Sequence, residues 1–180
     1  NPLLAHVIAR IGPQAAPLAL SANGDPDRFA SYGLPVLPDS IPGFPGPLAG
    51  VLAGLDWAAG LGAAAILTVA ADTPFFPTDL VARLTETATG QVHPLVLAAT
   101  PRGEQATKSM TGGLIRHPTF GLWPVALRDD LRAALADGLK KVVLWTDRHH
   151  GRLAEFSNQP FDPFFNVNTP EDLAQAETLA

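Results

Sequence analysis

Apolar positions at the start of the chain recur at helical spacing. Leu4, Val7, Ile8 and Ile11 share one side, which predicts a helix over residues 3–11. Two short apolar runs follow, 17–22 (PLALSA) and 34–37, and both read as strands. The first closes on Asn23-Gly24 and the second on Pro38-Asp39, each a turn signal. Between them, residues 26–32 can form one or two helical turns, with Asp25 as the cap. A small-residue helix is predicted over 47–60, after the glycine-bracketed turn Gly46-Pro-Leu-Ala-Gly50. Residues 64–71 then form an apolar run that includes Ile66, Leu67 and Val69 with no alternation, as in a strand buried on both faces of a parallel sheet. It stops abruptly at Asp72-Thr73-Pro74. Residues 78–87 read as a helix, with Pro77 before it and Asp79 in its first turn near the positive end of the dipole. Residues 94–99 read as a further strand. Strands and helices that alternate over short links predict an α/β fold. The expected architecture is three-layer α/β/α, with a mostly parallel, Rossmann-like sheet and right-handed connections.

The second half is less regular. Residues 103–113 are polar and end in glycine, a loop or hairpin pattern, and 114–125 read as a strand and turn with aromatic weight. A helix over 130–137 ends at Gly138. Residues 141–145 fit strand or helix equally. Short strands are expected at 153–156 and 164–167, and a closing helix at 170–179, with Thr169 in the cap position. No internal repeat or low-complexity tract is visible.

Composition narrows the class. A chain of 180 residues, 47% hydrophobic and 16% charged, has the length and apolar content of one ordered domain, here 1–180. The net charge of -5 and the lack of a basic stripe argue against nucleic acid as a partner. A small anion is still compatible, because helix N-termini and a metal handle phosphate without a basic surface. With no cysteine, disulfides, thiolate metal sites and cysteine nucleophiles are excluded, which is compatible with a cytoplasmic location. No apolar segment reaches membrane-spanning length uninterrupted, so no membrane association is expected. The start, Asn1-Pro2-Leu3, lacks an initiator methionine, and the expectation is a domain that is incomplete at its N-terminus.

Ligands of parallel α/β sheets gather at the carboxyl ends of strands, and Asp72 falls at such an end. A carboxylate there can bind Mg²⁺ together with substrate phosphates, or it can cap the following turn through the Thr73 or Phe75 amides. Gly46 and Gly50 let backbone approach a ligand at a helix N-terminus, or else let a small-residue helix pack on the sheet. Asn23 and Asp39 each follow a strand on the same sheet edge and suit a base or ribose, or simply a turn. Asn166 and Asn168 project from the same side if the segment is extended. His117, beside Pro118, Phe120 and Trp123, could frame a flat ligand or belong to an aromatic core. His149-His150 reads as exposed loop with no metal role, and no Ser-His-Asp or HExxH spacing is present.

Taken together these motifs resemble the molybdenum cofactor guanylyltransferases (MobA-type) of the nucleotidyltransferase superfamily. The resemblance is carried by Pro2-Leu-Leu-Ala-His-Val7, Leu20-Ser-Ala-Asn23, Val36-Leu-Pro-Asp39, Gly46-Pro-Leu-Ala-Gly50 and Ala71-Asp-Thr-Pro74. Toward the C-terminus it continues in His117-Pro-Thr-Phe-Gly-Leu-Trp-Pro124 and Phe165-Asn-Val-Asn-Thr-Pro-Glu-Asp172. It implies a nucleotidyltransferase fold and transfer of GMP from GTP to molybdopterin, giving the guanine dinucleotide cofactor and pyrophosphate. By the same resemblance Asn23, Asp39, Asp72, Gly46, Pro47, Leu48 and Gly50 would bind GTP. Asp72 would be catalytic and hold Mg²⁺ (or Mn²⁺), and Asn166 and Asn168 would bind molybdopterin. Molybdenum-insertion proteins and apo-molybdoenzymes are the further partners it implies. Phosphoryl-type transfer of this kind needs positioning and charge neutralisation more than a protein nucleophile.

The family's opening strand and phosphate loop, LAGGxSxRMGxDK, do not occur in this sequence. Without that segment the sheet is expected to lose a strand from its middle and the triphosphate its main cradle, leaving an inactive fragment. Lys140 and Lys141 offer no replacement. Two alternatives accompany the guanylyl reading. One is a related cytidylyl- or sugar-phosphate nucleotidyltransferase; the other is a non-catalytic cofactor-binding protein without the phosphate loop.

Overall fold

A computed structural model describes residues 3–41, 43, 46–102, 113–169, 171, 172 and 174. Helix α1 (Leu3–Ile11) leads to strand β1 (Leu20–Ser21), a 3₁₀ helix (Pro26–Tyr32) and strand β2 (Val36–Leu37). Helix α2 (Pro47–Gly60), β3 (Ala65–Thr68), α3 (Leu80–Thr87) and β4 (Val96–Pro101) follow. The remainder comprises β5 (Leu114–Pro124), a 3₁₀ turn (Val125–Leu127), α4 (Arg128–Ala136), α5 (Val142–Arg148) and β6 (Arg152–Glu155).

The strands form two sheets: β1 pairs with β2 in parallel, and a four-stranded sheet has the order β3-β5-β4-β6. Within the larger sheet β5 is antiparallel to both β3 and β4, while β6 is parallel to β4. Strands β3, β4 and β6 therefore share one direction and β5 alone opposes it. Between β1 and β3 lies a cleft of about 700 Å³, with Leu20 and Leu37 on one side and Ile66 and Val69 on the other. Where the sequence suggested one sheet, the described residues thus form two, facing each other across an apolar gap.

Alternation along β4 generates the layers. Leu95 and Leu97 enter a cluster with Leu52, Leu55, Trp123, Leu131 and Trp145, contributed by α2, β5, α4 and α5. Val96 and Ala98 enter another with Val7, Phe76, Leu84, Phe120 and Phe164, from α1, the β3–α3 turn, α3, β5 and the C-terminal segment. Successive side chains of a strand point to opposite faces. A strand whose successive apolar residues are buried on both faces therefore needs cover on both sides, which is the three-layer arrangement.

This corrects one expectation. The strand buried on both faces is β4, whose first five residues are all buried, whereas β3 is half-buried throughout and stops at Thr68 instead of running to residue 71. β3 pairs with β5 on one edge and fronts the cleft on the other, which leaves its residues partly open. Residues 164–167 form no strand; Phe164 and Val167 turn into the core from an irregular segment. The ambiguous 141–145 stretch is helical, as α5. The capped 3₁₀ helix is as expected: the Asp25 carboxylate accepts from the Asp27 amide at 3.0 Å. Residues 103–112 and most of the expected closing helix lie outside the described residues. At its start, Thr169 and Asp172 cap each other, the Asp172 amide donating to Thr169 Oγ1 at 3.1 Å and the Thr169 amide to Asp172 Oδ2 at 3.0 Å. Among the described residues no helix is long and apolar enough to cross a membrane.

Candidate active site

The turns after β1 and β2 are locked to each other. Asn23 Nδ2 donates to Asp39 Oδ2 at 2.7 Å, and the Asp39 amide donates back to Asn23 Oδ1 at 2.9 Å. Parallel pairing of Leu20 with Val36 and Ser21 with Leu37 brings the two strand ends level, so the residues just beyond them meet. Among the described residues Asp39 Oδ1 has no hydrogen-bond partner, and both residues line the cleft. Next in the chain, Ser40 donates to Asp56 Oδ2 at 2.6 Å, and Arg132 Nη2 donates to Asp56 Oδ1 at 2.6 Å. Burial raises the Asp56 carboxyl, but the hydrogen bonds from Ser40 and Arg132 and the charges of Arg132 and Arg128 outweigh it and hold the group below its ordinary value. The Asp39 turn is thereby tied to α2 and α4.

The N-terminus of α2 faces the same cleft through Gly46, Pro47 and Gly50. Gly46 has φ 145°, a conformation that side-chain-bearing residues rarely adopt, and Pro47 starts the helix where a missing N–H does no harm. Gly50 is accounted for by packing, since a Cβ there would lie 2.7 Å from Ser21 Oγ, so α2 and β1 are in close contact at that point. Leu48 departs from the expectation for this turn. The residue is 2% exposed and belongs to the core with Val51 and Leu52, and it does not line the cleft.

Asp72 lies in the turn beyond β3, one residue past Ala71 at the end of the cleft lining, and is half-buried. Among the described residues it has no Lys or Arg partner, and the amides of Thr73 and Phe75 do not cap it. Its contacts run to the C-terminal segment instead. Thr73 Oγ1 lies 3.2 Å from Asp72 Oδ1 and 2.9 Å from Asn166 Oδ1, and the Val167 amide donates to the Asp72 carbonyl at 2.8 Å. Asn166 and Asn168 are both exposed, and the Asn168 amide is bound by Asp172 Oδ2 at 3.0 Å. From the other side Arg10 donates to the Phe76 carbonyl, and Gln14 bonds the Pro77 carbonyl at 3.3 Å and the Val81 amide at 3.2 Å. Helix α1 thus braces the chain that leaves Asp72.

No group of three or more potential metal ligands exists among the described residues. A half-buried carboxylate without a cationic partner is nonetheless the donor that Mg²⁺ uses when phosphates complete its shell. His117 belongs to the aromatic core: its ring stacks on Phe164 at 4.3 Å and bonds Thr100 Oγ1 at 2.9 Å. Burial lowers its pKa from the ordinary 6.5, against the opposing charge of Asp162. His149 is also a structural residue and not a free loop side chain, because its Nε2 lies 2.7 Å from Asp130 Oδ1, which also accepts from Trp145 Nε1 at 2.8 Å.

The structure therefore makes two groupings of the sequence candidates: Asn23, Asp39, Gly46 and Pro47 around the cleft mouth, and Asp72 with Asn166 through Thr73. Sequence reasoning missed Thr73 and the Ser40–Asp56–Arg132 bracket. Asp56 had a signal, being the one charged residue of α2. Thr73 had none beyond its place next to Asp72.

A family model described as MobA-like NTP transferase domain matches residues 1–152. A molybdenum cofactor guanylyltransferase of Bradyrhizobium is 54% identical over 99% of this chain and 80% of that protein. Another, from Rhodopseudomonas palustris, is 51% identical over the same shares. Among solved structures, the molybdopterin-guanine dinucleotide biosynthesis protein A of Archaeoglobus fulgidus superposes with TM-score 0.65 at 20% identity, covering 98% of this chain and 84% of that one. The 4-diphosphocytidyl-2C-methyl-D-erythritol synthase of Anaerococcus prevotii gives TM-score 0.72 at 13% identity, again over 98% and 84%. These two similarities define the α/β nucleotidyltransferase fold. Within that class the chain belongs to the molybdenum cofactor guanylyltransferases.

Proposed function

We propose that this nucleotidyltransferase moves GMP from GTP onto the terminal phosphate of molybdopterin. An oxygen of that phosphate attacks the α-phosphorus of GTP, the bond from the α-phosphorus to the β-bridging oxygen breaks, and pyrophosphate leaves. The observation that supports this most is the placement of two polar groupings on either side of one cleft, beyond the ends of β1 and β2 and beyond the end of β3. On one side the Asn23–Asp39 pair offers a carboxylate oxygen that suits donor N–H groups on a guanine edge or a ribose hydroxyl. Beside it, Gly46 and Pro47 present backbone at the positive end of α2, where phosphate is favoured. On the other side Asp72 is the carboxylate for a divalent cation, Mg²⁺ or Mn²⁺, and Asn166 and Asn168 face the acceptor. Such a cation would neutralise charge on the α-phosphate and the departing pyrophosphate. The protein's own part is to hold the donor and acceptor phosphates in line. The reaction is placed in the cytoplasm, with molybdenum-insertion proteins and apo-molybdoenzymes taking the product.

The test is Asp72→Asn, which keeps the shape of the side chain and removes its charge. Transfer should fall by a factor on the order of 10² or more while the melting temperature stays the same. Retained transfer would rule out Asp72 as the cation ligand.

A further inference from the structure

Thr73 is fully buried, yet within the Asp72 grouping its hydroxyl stands between two acceptors, Asp72 Oδ1 at 3.2 Å and Asn166 Oδ1 at 2.9 Å. A threonine hydroxyl has one proton, so it can donate to one of them at a time. The shorter contact assigns that proton to Asn166. In this arrangement the Asn166 carbonyl faces inward, its NH₂ faces solvent, and Asp72 Oδ1 accepts nothing from Thr73. A half-turn of the Asn166 amide reverses the pattern. Its NH₂ then donates to Thr73 Oγ1, and the hydroxyl proton passes to Asp72 Oδ1. The surrounding backbone resists any other adjustment, because the Val167 amide is bonded to the Asp72 carbonyl at 2.8 Å and Val167 itself is buried.

We propose that Thr73 is a positioning residue that couples the acceptor side of the site to the cation side through this choice of proton. The inference rests on the roles given above to Asp72 and Asn166. An anionic acceptor at Asn166 needs the NH₂ as donor and so holds the amide with its carbonyl on Thr73. The hydroxyl proton is then committed to Asn166, and both Asp72 oxygens are left for a cation. With no acceptor bound, the half-turned amide is also accessible, and the Thr73 proton competes with the cation for Asp72 Oδ1. Acceptor binding therefore tightens the cation, and by linkage the cation tightens the acceptor by the same factor.

The measurement is Mn²⁺ affinity by electron paramagnetic resonance, on full-length protein with an α,β-methylene GTP analogue that blocks turnover, with and without molybdopterin. Wild type should bind Mn²⁺ more tightly when molybdopterin is present, by a factor of up to about 2, because the assigned proton position already leaves Asp72 to the cation for more than half of the time. Thr73→Ser, which keeps the hydroxyl, should preserve that ratio. Thr73→Val, close in shape without the proton, should bring it to about 1 at an unchanged melting temperature. A metal-free readout accompanies it: molybdopterin should shift the Asn166 side-chain amide resonances in wild type and Thr73→Ser. A wild-type ratio of 1, or a full ratio in Thr73→Val, overturns the proposal. In the same assay Asp72→Asn should lose Mn²⁺ affinity. If it does not, the site assignment fails as well; if it does while Thr73→Val keeps the ratio, only the coupling fails.

Discussion

The two sides of the molecule are built by different rules. Around β4, β5 and β6 the chain is closed: Trp123, Trp145, Phe76, Phe120 and Phe156 have at most 1% exposure, and the first five residues of β4 are all buried. Around β1, β2 and β3 the strands are two to four residues long, half-buried and separated by a cleft. The closed side holds its shape by apolar packing. The open side holds its shape by paired polar groups, Asn23 with Asp39, Ser40 with Asp56, and Asp72 with Thr73 and Asn166. The candidate site is made of the second kind of contact. Hydrogen-bonded turns at strand ends can fix a carboxylate precisely enough for chemistry and still leave it accessible, which a packed core cannot.

That contrast can be broken from either side. The largest effect should come from Trp123→Ala, which removes a buried ring 6.2 Å from Trp145 and its Nε1–H bond to Thr68 Oγ1 at 2.8 Å. Denaturant unfolding should report a loss of about 3–5 kcal/mol, against little change in stability for Asp72→Asn. A loss below 1 kcal/mol would mean that the closed side is not what holds the fold. A middle-sized effect is expected from Gly46→Ala, which places a Cβ at φ 145°. It should lower stability by about 1–3 kcal/mol through strain and, on the proposed nucleotide role of Gly46, raise the GTP KM as well. The smallest effect concerns His117. Burial holds its folded pKa below the ordinary 6.5, so the unfolded chain takes up the proton first as pH falls. Its contribution is complete above that value and declines as pH drops through it toward the folded pKa. Melting temperature should therefore fall less between pH 7.5 and 5.5 in His117→Gln than in wild type, and equal slopes would refute the assignment.

How much of this was legible in the sequence follows the same division. α2 was read with the observed bounds and Asp25 as the cap of the 3₁₀ helix, because each depends on neighbours in the chain. The mistaken strand assignments are non-local in origin. The apolar run 64–71 matches a doubly buried strand in composition, but burial depends on which strands stand beside it, and β3 borders a cleft. Residues 164–167 look like a strand, yet the aromatic ring of Phe164 is used against His117, Phe120 and Phe156, and among the described residues no strand pairs with this segment. Asn23, Asp39 and Asp72 were picked out as candidates one by one, each from its place after an apolar run. Their pairing was not, since Asn23 with Asp39 and Thr73 with Asn166 are 16 and 93 residues apart. Nothing in the local pattern around Leu48 separates it from the cleft-facing Gly46 and Pro47; only the rotation of α2 on the sheet does.

The central claim is that the open side selects guanine and passes GMP to molybdopterin. It is tested most directly by incubating the full-length protein with molybdopterin, Mg²⁺ and GTP, CTP or UTP in turn, and resolving dinucleotide and pyrophosphate chromatographically. The account predicts equimolar guanine dinucleotide and pyrophosphate from GTP, with CTP and UTP turned over at least about 10-fold more slowly. Preferential turnover of CTP would contradict it.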